Sequence, residues 1–198
     1  MLAKDYRKQA WQALSGQWGT MAVIYLLYAL LTAVLSYTTL GALLLGGVLT
    51  IGLSSATLSL LRAKHAAVEY LFDGFKLNLT NALLASVLYN IFLALWTLLF
   101  VIPGIVKSYS YAMTFYILRD NPNMPANDAI TESRRMMNGN KFRLFCLHFS
   151  FIGWLILSAF TFGILLLWVI PYMQTAQAAF YESLKQPAIY TDYFEEQA

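Results

Sequence analysis

The chain has 198 residues, 59% of them apolar and only 12% charged, with a formal charge of +3 and a mean hydropathy of +0.57. That balance excludes an ordinary water-soluble domain, which needs a charged surface, and places the chain in a membrane. A single cysteine, Cys146, excludes an internal disulfide and reads as a small packing residue beside an apolar span.

The apolar residues concentrate in three blocks, 18–61, 77–118 and 142–184. Each is about twice the ~20 residues that a helix needs to cross a bilayer core, so each predicts a hairpin of two transmembrane helices. Ahead of the first block, residues 2–17 predict an amphipathic helix with Leu2, Tyr6, Ala13 and Leu14 opposite Lys4, Arg7 and Lys8. This basic start imitates a signal peptide, but the apolar run that follows is too long and lacks a small-x-small cleavage site. It is expected to remain as the first span.

The first block carries a turn signal at 36–41. Gly41, Gly46, Gly47 and Gly52, with Ser54, Ser55 and Ser59, give its second span a small-residue face suited to close helix packing. Residues 66–75 predict a short amphipathic connector, with Val68, Leu71, Phe72 and Phe75 facing away from Glu69 and Asp73.

The second block has no polar turn at its middle. Pro103-Gly104 is its obvious punctuation, but a turn there leaves only 105–118 for the next helix, short for a span. The third block offers a parallel: Val169-Ile170-Pro171 echoes Val101-Ile102-Pro103, and each precedes an aromatic pair, Phe115-Tyr116 and Phe180-Tyr181. On that alignment the second turn falls near 94–98, and Pro103, Gly104 and Pro171 break helices inside second spans. A turn at Pro103-Gly104 is the alternative.

Residues 125–138 predict another connector helix, capped by Asn127, with Asp128 at the positive end of its dipole and Asn138-Gly139 as a stop. Ile130, Ser133, Met136 and Met137 share its apolar face. Arg134 and Arg135, with Lys141 just beyond, are candidates for contact with anionic lipid headgroups; packing on the inner end of the bundle is the competing reading. The third block has its turn signal at 161–163, and the polar, acidic stretch 186–198 is expected to fray.

All basic residues except Lys107 lie before, between or after the three blocks or, in the case of Arg143, at the very start of the third. By the positive-inside rule those segments are cytoplasmic, so both termini are inside and three short hairpin tips face out.

Little chemistry is encoded inside the blocks. The blocks hold no acidic residue except Glu182, at the very end of the third, which removes most proton-relay and aspartyl-protease schemes. There is no His-Glu-x-x-His motif, and Gly52-Leu53-Ser54-Ser55-Ala56 lacks the second glycine of a nucleophile elbow. His65 and Glu69 stand one helical turn apart, but two residues do not make a metal site, and His148 reads as a hydrogen-bonded packing residue. Lys107 is the exception. It precedes Arg119 by ~18 Å along a continuous helix, near the bilayer midplane, where a cation needs a partner or water. With Ser108, Ser110, Tyr111, Gln174 and Gln177 it forms a candidate polar cavity beneath the two prolines, an arrangement that transporters use for substrate sites. The alternative is that Lys107 snorkels to the outer surface.

The run Ile102-Pro103-Gly104-Ile105-Val106-Lys107-Ser108-Tyr109-Ser110-Tyr111-Ala112-Met113, followed by Tyr116-Ile117-Leu118, resembles a family of bacterial integral membrane proteins catalogued as domain of unknown function 975. The pattern continues through Asp128 to Ile130, Ser133, Met136-Met137-Asn138-Gly139, Lys141, Leu144-Phe145 and Ser150-Phe151-Ile152-Gly153-Trp154. It closes with Leu167-Trp168, Pro171-Tyr172-Met173 and Ala179-Phe180-Tyr181, and Leu71-Phe72-Asp73-Gly74-Phe75-Lys76 extends it upstream. Asn127 stands where the family tends to carry Ser, a conservative exchange for a helix cap. The resemblance implies a multi-pass membrane protein, mainly of Gram-positive bacteria, and supplies no activity, substrate or cofactor.

The expected fold is all-α: one membrane domain over 1–185, a bundle of about six transmembrane helices built as three hairpins with amphipathic cytoplasmic helices. Two functions fit. One is a non-enzymatic module of the bacterial cell membrane that binds lipid or partner proteins in envelope assembly, secretion or stress tolerance. The other is a small transporter or exporter subunit using the Lys107 cavity. No cofactor and no catalytic residue are expected; the expected partners are membrane lipids, with other membrane proteins or further copies of the chain, and not nucleic acid.

Overall fold

A computed structural model describes residues 2–99, 101–161 and 163–185, so the predicted tail at 186–198 lies outside the described residues. The described residues contain helices and no strand. In order they are α1 (Ala3–Leu14), α2 (Trp18–Ser36), α3 (Thr39–Ala63), a 3-10 turn (Val68–Phe72), α4 (Asp73–Lys76), α5 (Leu79–Leu99), α6 (Val101–Tyr111), α7 (Thr114–Asp120), α8 (Ala126–Met136), α9 (Lys141–Phe149), α10 (Ile152–Phe160) and α11 (Leu166–Lys185). Among the described residues, four stretches are long and apolar enough to cross a membrane: Trp18–Ser36, Leu43–Ala63, Leu79–Leu98 and Lys141–Phe160.

The third helix is the axle. Its 25 residues extend ~37 Å, more than a ~30 Å hydrocarbon core. Its apolar window is 72% buried, against 17–22% for the other three. It packs on α2, α5, α7, α11 and the 3-10 turn, and its small-residue face makes this possible. A Cβ on Gly52 would collide with the Leu71 carbonyl oxygen, and one on Gly47 would sit 2.5 Å from the Ser86 Cβ. Gly74 returns the contact by lying on the Val48 carbonyl. Residues 66–75 are therefore not the amphipathic helix expected. They form a 3-10 turn and a single turn of helix pressed onto α3, with Leu71 fully buried and Phe72 and Phe75 exposed.

Two helical stretches are jointed, α6 with α7 and α9 with α10, and a side chain from elsewhere meets each joint; a third side chain reaches the backbone of the continuous α3. The Ser86 hydroxyl on α5 accepts from the Gly47 N–H (3.0 Å) and donates to the Leu43 carbonyl (2.6 Å), two groups that a regular α-helix pairs with each other. At the step between α6 and α7, the Ser133 hydroxyl on α8 donates to the Ser110 carbonyl (2.9 Å) and accepts from the Met113 N–H (3.2 Å). Between α9 and α10, Arg7 Nη1 donates to the Ser150 carbonyl (3.1 Å). Arg7 is thus turned into the bundle, its guanidinium 5.9 Å from the Phe151 ring, and not out with Lys4 and Lys8.

The prolines do not break helices. The fifth helix runs on to Leu99, through the turn expected at 94–98, and α6 starts at Val101. Pro103 lies in the first turn of α6, where its missing N–H costs nothing, and Gly104 lets α6 approach Thr97, whose Oγ1 would be 2.6 Å from an added Cβ. Pro171 is buried within a continuous α11. The actual joints fall at 112–113 and 150–151, away from every proline. The turns at 36–41 and 161–163 do separate helices, though Phe162 is outside the described residues.

The connector α8 begins at Ala126 after Pro125, so Asn127 stands in the first turn and is not the cap; Gly139 ends the segment at φ +76°. Its Ile130 and Ser133 face, with Met137, is fully buried on the bundle. In α1 the buried face is Tyr6, Ala10, Ala13 and Leu14, while Leu2 is exposed because it precedes the helix and its N–H is held by Asp5 (2.8 Å).

Substituting Gly52→Ala should lower stability in detergent by about 1–3 kcal/mol through overpacking, whereas Gly46→Ala, with nothing within 4 Å of the new methyl, should leave the thermal midpoint unchanged or slightly raised. Ser133→Ala strands a buried carbonyl and a buried N–H together, and should cost about 1–3 kcal/mol by the same unfolding measurement.

Candidate functional site

A partly enclosed cavity of about 870 Å³ opens among α2, α3, α5, α6, α7, α9 and α11. Six tyrosines line it, Tyr25, Tyr28, Tyr89, Tyr109, Tyr111 and Tyr116, interleaved with Thr32, Thr50, Ser54, Ser108, His148, Gln174 and Gln177. Leu53, Phe115, Leu166, Leu167 and Ile170 supply apolar wall. On α3 the cavity lies ~12–18 Å along the helix from Arg62, level with the middle of the apolar windows. His148 Nε2 lies 3.2 Å from Gln177 Oε1 and joins α9 to α11, with its ring 5.7 Å from that of Tyr109.

Four of the six residues expected around a polar cavity do line it: Ser108, Tyr111, Gln174 and Gln177. Ser110 does not. It is buried with its hydroxyl on the Val106 carbonyl (3.0 Å) and its own carbonyl on Ser133. Lys107, the residue that suggested the cavity, is not in the lining; its ammonium lies 4.2 Å from the Trp96 ring centroid. The midplane position assumed one helix running to Arg119, whereas α6 ends at Tyr111 and Lys107 lies only ~9 Å from the start of α6.

On α8, Arg134 and Arg135 are exposed, and Lys141 opens α9 half-buried. Arg135 is engaged by Glu132 (Nε to Oε2, 2.8 Å), and that hydrogen bond holds the Glu132 carboxyl below its ordinary range against the opposing effect of burial. His65 packs 6.3 Å from the Tyr70 ring, and no three His, Cys, Asp or Glu side chains gather as a metal-ligand group among the described residues.

One turn beyond Tyr116 lies a cluster that sequence reasoning missed. Asp120, with 8% of its side chain exposed, accepts two hydrogen bonds from Arg62 (2.9 and 2.8 Å), one from Arg119 (3.1 Å), one from Lys185 (2.6 Å) and one from the Tyr181 hydroxyl (3.1 Å). Arg62 also donates to Glu182 (3.0 Å), and Arg119 to Ser59 (3.2 Å). The ends of α3, α7 and α11 are therefore tied to one carboxylate, with Tyr116 stacked on Tyr181 (5.3 Å) between the cluster and the cavity. Burial alone would discourage the charge on Asp120, but the hydrogen bonds from Arg62, Lys185 and Arg119 prevail and hold its pKa well below the ordinary 3.8. The available signal was an acidic residue at the very end of an apolar block.

Over residues 1–107 and again over 98–188 the chain matches the family described as Protein of unknown function (DUF975). The chain belongs to that family. No curated protein and no solved structure matches it. The two DUF975 segments together contain every residue of the cavity and of the Asp120 cluster.

For this DUF975 chain the depressed pKa of Asp120 sets the sign of a pH effect. The carboxylate stabilises the fold fully above the unfolded value of about 3.8, and the contribution is lost as pH falls below it towards the folded value. Thermal midpoints in detergent should thus decline below about pH 4. Asp120→Asn should lower stability at pH 7 by about 2–3 kcal/mol, less than a fully buried pair because Arg62 is partly exposed, and should flatten that acid decline.

Proposed function

We propose that the protein is a non-enzymatic integral protein of the bacterial cell membrane that holds a lipid-like small molecule within its helical bundle. The observation that carries this reading is the cavity of about 870 Å³, within the ~300–1,000 Å³ range of small-molecule sites. It is lined by the amphipathic surface of six tyrosines and lies at the depth of the apolar windows. Six spans in three hairpins carry it, α2 with α3, α5 with the jointed α6 and α7, and the jointed α9 and α10 with α11. The ends that hold Arg62, Arg119 and Lys185 face the cytoplasm with both termini. Arg134, Arg135 and Lys141 lie on that side and meet anionic headgroups, while the apolar face of α8 is spent on the bundle.

A transport reading draws support from the same polar lining, Ser108, Gln174 and Gln177, but no longer from Lys107. Binding is the step that both readings share.

Placing a large side chain in the cavity tests it. Ala29 is exposed on α2 and lines the cavity, so Ala29→Trp should leave thermal stability intact while removing amphiphile that copurifies with the wild type, as read by mass spectrometry of solvent extracts. Unchanged lipid content would sink the binding reading. Orientation is tested separately in a Cys146→Ser background: a cysteine at exposed Asn138 should resist a membrane-impermeant thiol reagent in intact cells, and one at exposed Tyr37 should react.

A further inference from the structure

We infer that the cavity takes an uncharged amphiphile, an apolar chain with a head that carries both a hydroxyl and a carbonyl, of the acylglycerol class. The inference rests on the binding reading above and goes further by assigning the chemistry of the head.

Charge is the first argument. No Asp, Glu, Lys or Arg is among the described lining residues. Nearby cations have other tasks: Lys107 lies on Trp96, Arg62, Arg119 and Lys185 converge on Asp120, and Arg7 reaches Ser150. A phosphate head would leave water for a poorly polarisable site with no counter-charge, and a quaternary ammonium would do so with no carboxylate. Aromatic faces alone offset that loss only in part.

Hydrogen-bond capacity is the second. The hydroxyls of Thr32, Thr50, Ser54 and Ser108 all donate to carbonyls of their own helices, Tyr28 (2.8 Å), Gly46 (2.8 Å), Thr50 (2.9 Å) and Ile105 (2.7 Å). What they keep for a ligand is lone pairs, which call for a donor. Tyr25 offers the opposite. It lines the cavity, is only 5% exposed, and its hydroxyl has no hydrogen-bond partner. Buried polar groups are normally paired, and an orphan beside a cavity points to a missing ligand atom. Gln174, in the same lining, has no partner among the described residues and can donate as well. A head with one O–H for the acceptors and one carbonyl for Tyr25 and Gln174 satisfies both sets. A phosphodiester supplies acceptors and an unwanted charge, and a quaternary ammonium supplies neither.

The test uses the full chain in detergent and native mass spectrometry, with equimolar monooleoylglycerol, oleoyl lysophosphatidate and octadecyltrimethylammonium as probes. Monooleoylglycerol should be retained at least about tenfold more than either charged probe, and Tyr25→Phe and Gln174→Leu should each reduce that retention about five- to tenfold, the worth of one hydrogen bond. Without ligand, Tyr25→Phe should keep or raise the thermal midpoint, since it removes an unpaired buried hydroxyl; a structural tyrosine would lower it. Equal or greater retention of a charged probe, or retention of monooleoylglycerol that ignores both substitutions, overturns the inference while leaving a binding cavity in place. Failure to retain any of the three overturns the binding reading along with it.

Discussion

Inside an apolar medium every backbone N–H and C=O needs a partner from the protein itself, and this chain opens its helices within or beside its apolar blocks. Each joint is met by one side chain from a distant segment, Ser133 at Ser110 and Met113 and Arg7 at Ser150, and Ser86 reaches Leu43 and Gly47 on the continuous α3. Those contacts demand that backbones come close, which Gly47, Gly52 and Gly74 allow. Glycine approach and hydroxyl insertion are thus two halves of one device. It makes α3 the shared wall of the bundle and replaces the hydrophobic effect, which does little between helices already surrounded by lipid.

Polar resources are divided between one end of the bundle and its middle. Charges gather around Asp120, where α3, α7 and α11 end, and the neutral hydroxyls and amides gather around the cavity. Tyr116 and Tyr181 stand between them, one lining the cavity and stacked on the other, which donates to Asp120. A rigid base beneath a neutral, tyrosine-rich chamber suits a site that selects by hydrogen bonding and shape, since strong fields are confined to the far side of that aromatic pair.

Membrane residence and helical class were legible in composition and block length, because neither depends on tertiary contacts. The small-residue face of α3 was legible for the same reason: spacing along one helix decides it. Part of the cavity lining was as well, since Ser108, Tyr111, Gln174 and Gln177 are polar residues in apolar surroundings, but the walls from α2, α3 and α5 were not. The joints were not. Pro103 and Pro171 looked like breaks by local rules, yet one lies in a first turn and the other inside a continuous helix, while the real steps at 112–113 and 150–151 depend on Ser133 and Arg7. Lys107 was misplaced as a direct result, because its depth was measured along a helix that is not continuous. The Asp120 cluster was hidden for a related reason: its partners Arg62 and Lys185 lie 58 and 65 positions away in the chain.

The stitch at Ser133 also imposes an order on biosynthesis. The ribosome makes α6 and α7 before it makes α8, so the Ser110 carbonyl and the Met113 N–H emerge before the hydroxyl that pairs them. They stay unmatched until 20 more residues have emerged and α8 has folded back. Until then the joint is better served by water than by apolar surroundings, where an unpaired backbone group is costly. The joint between α6 and α7 is accordingly completed late, and the short helix α8 is what completes the pairing of its neighbours.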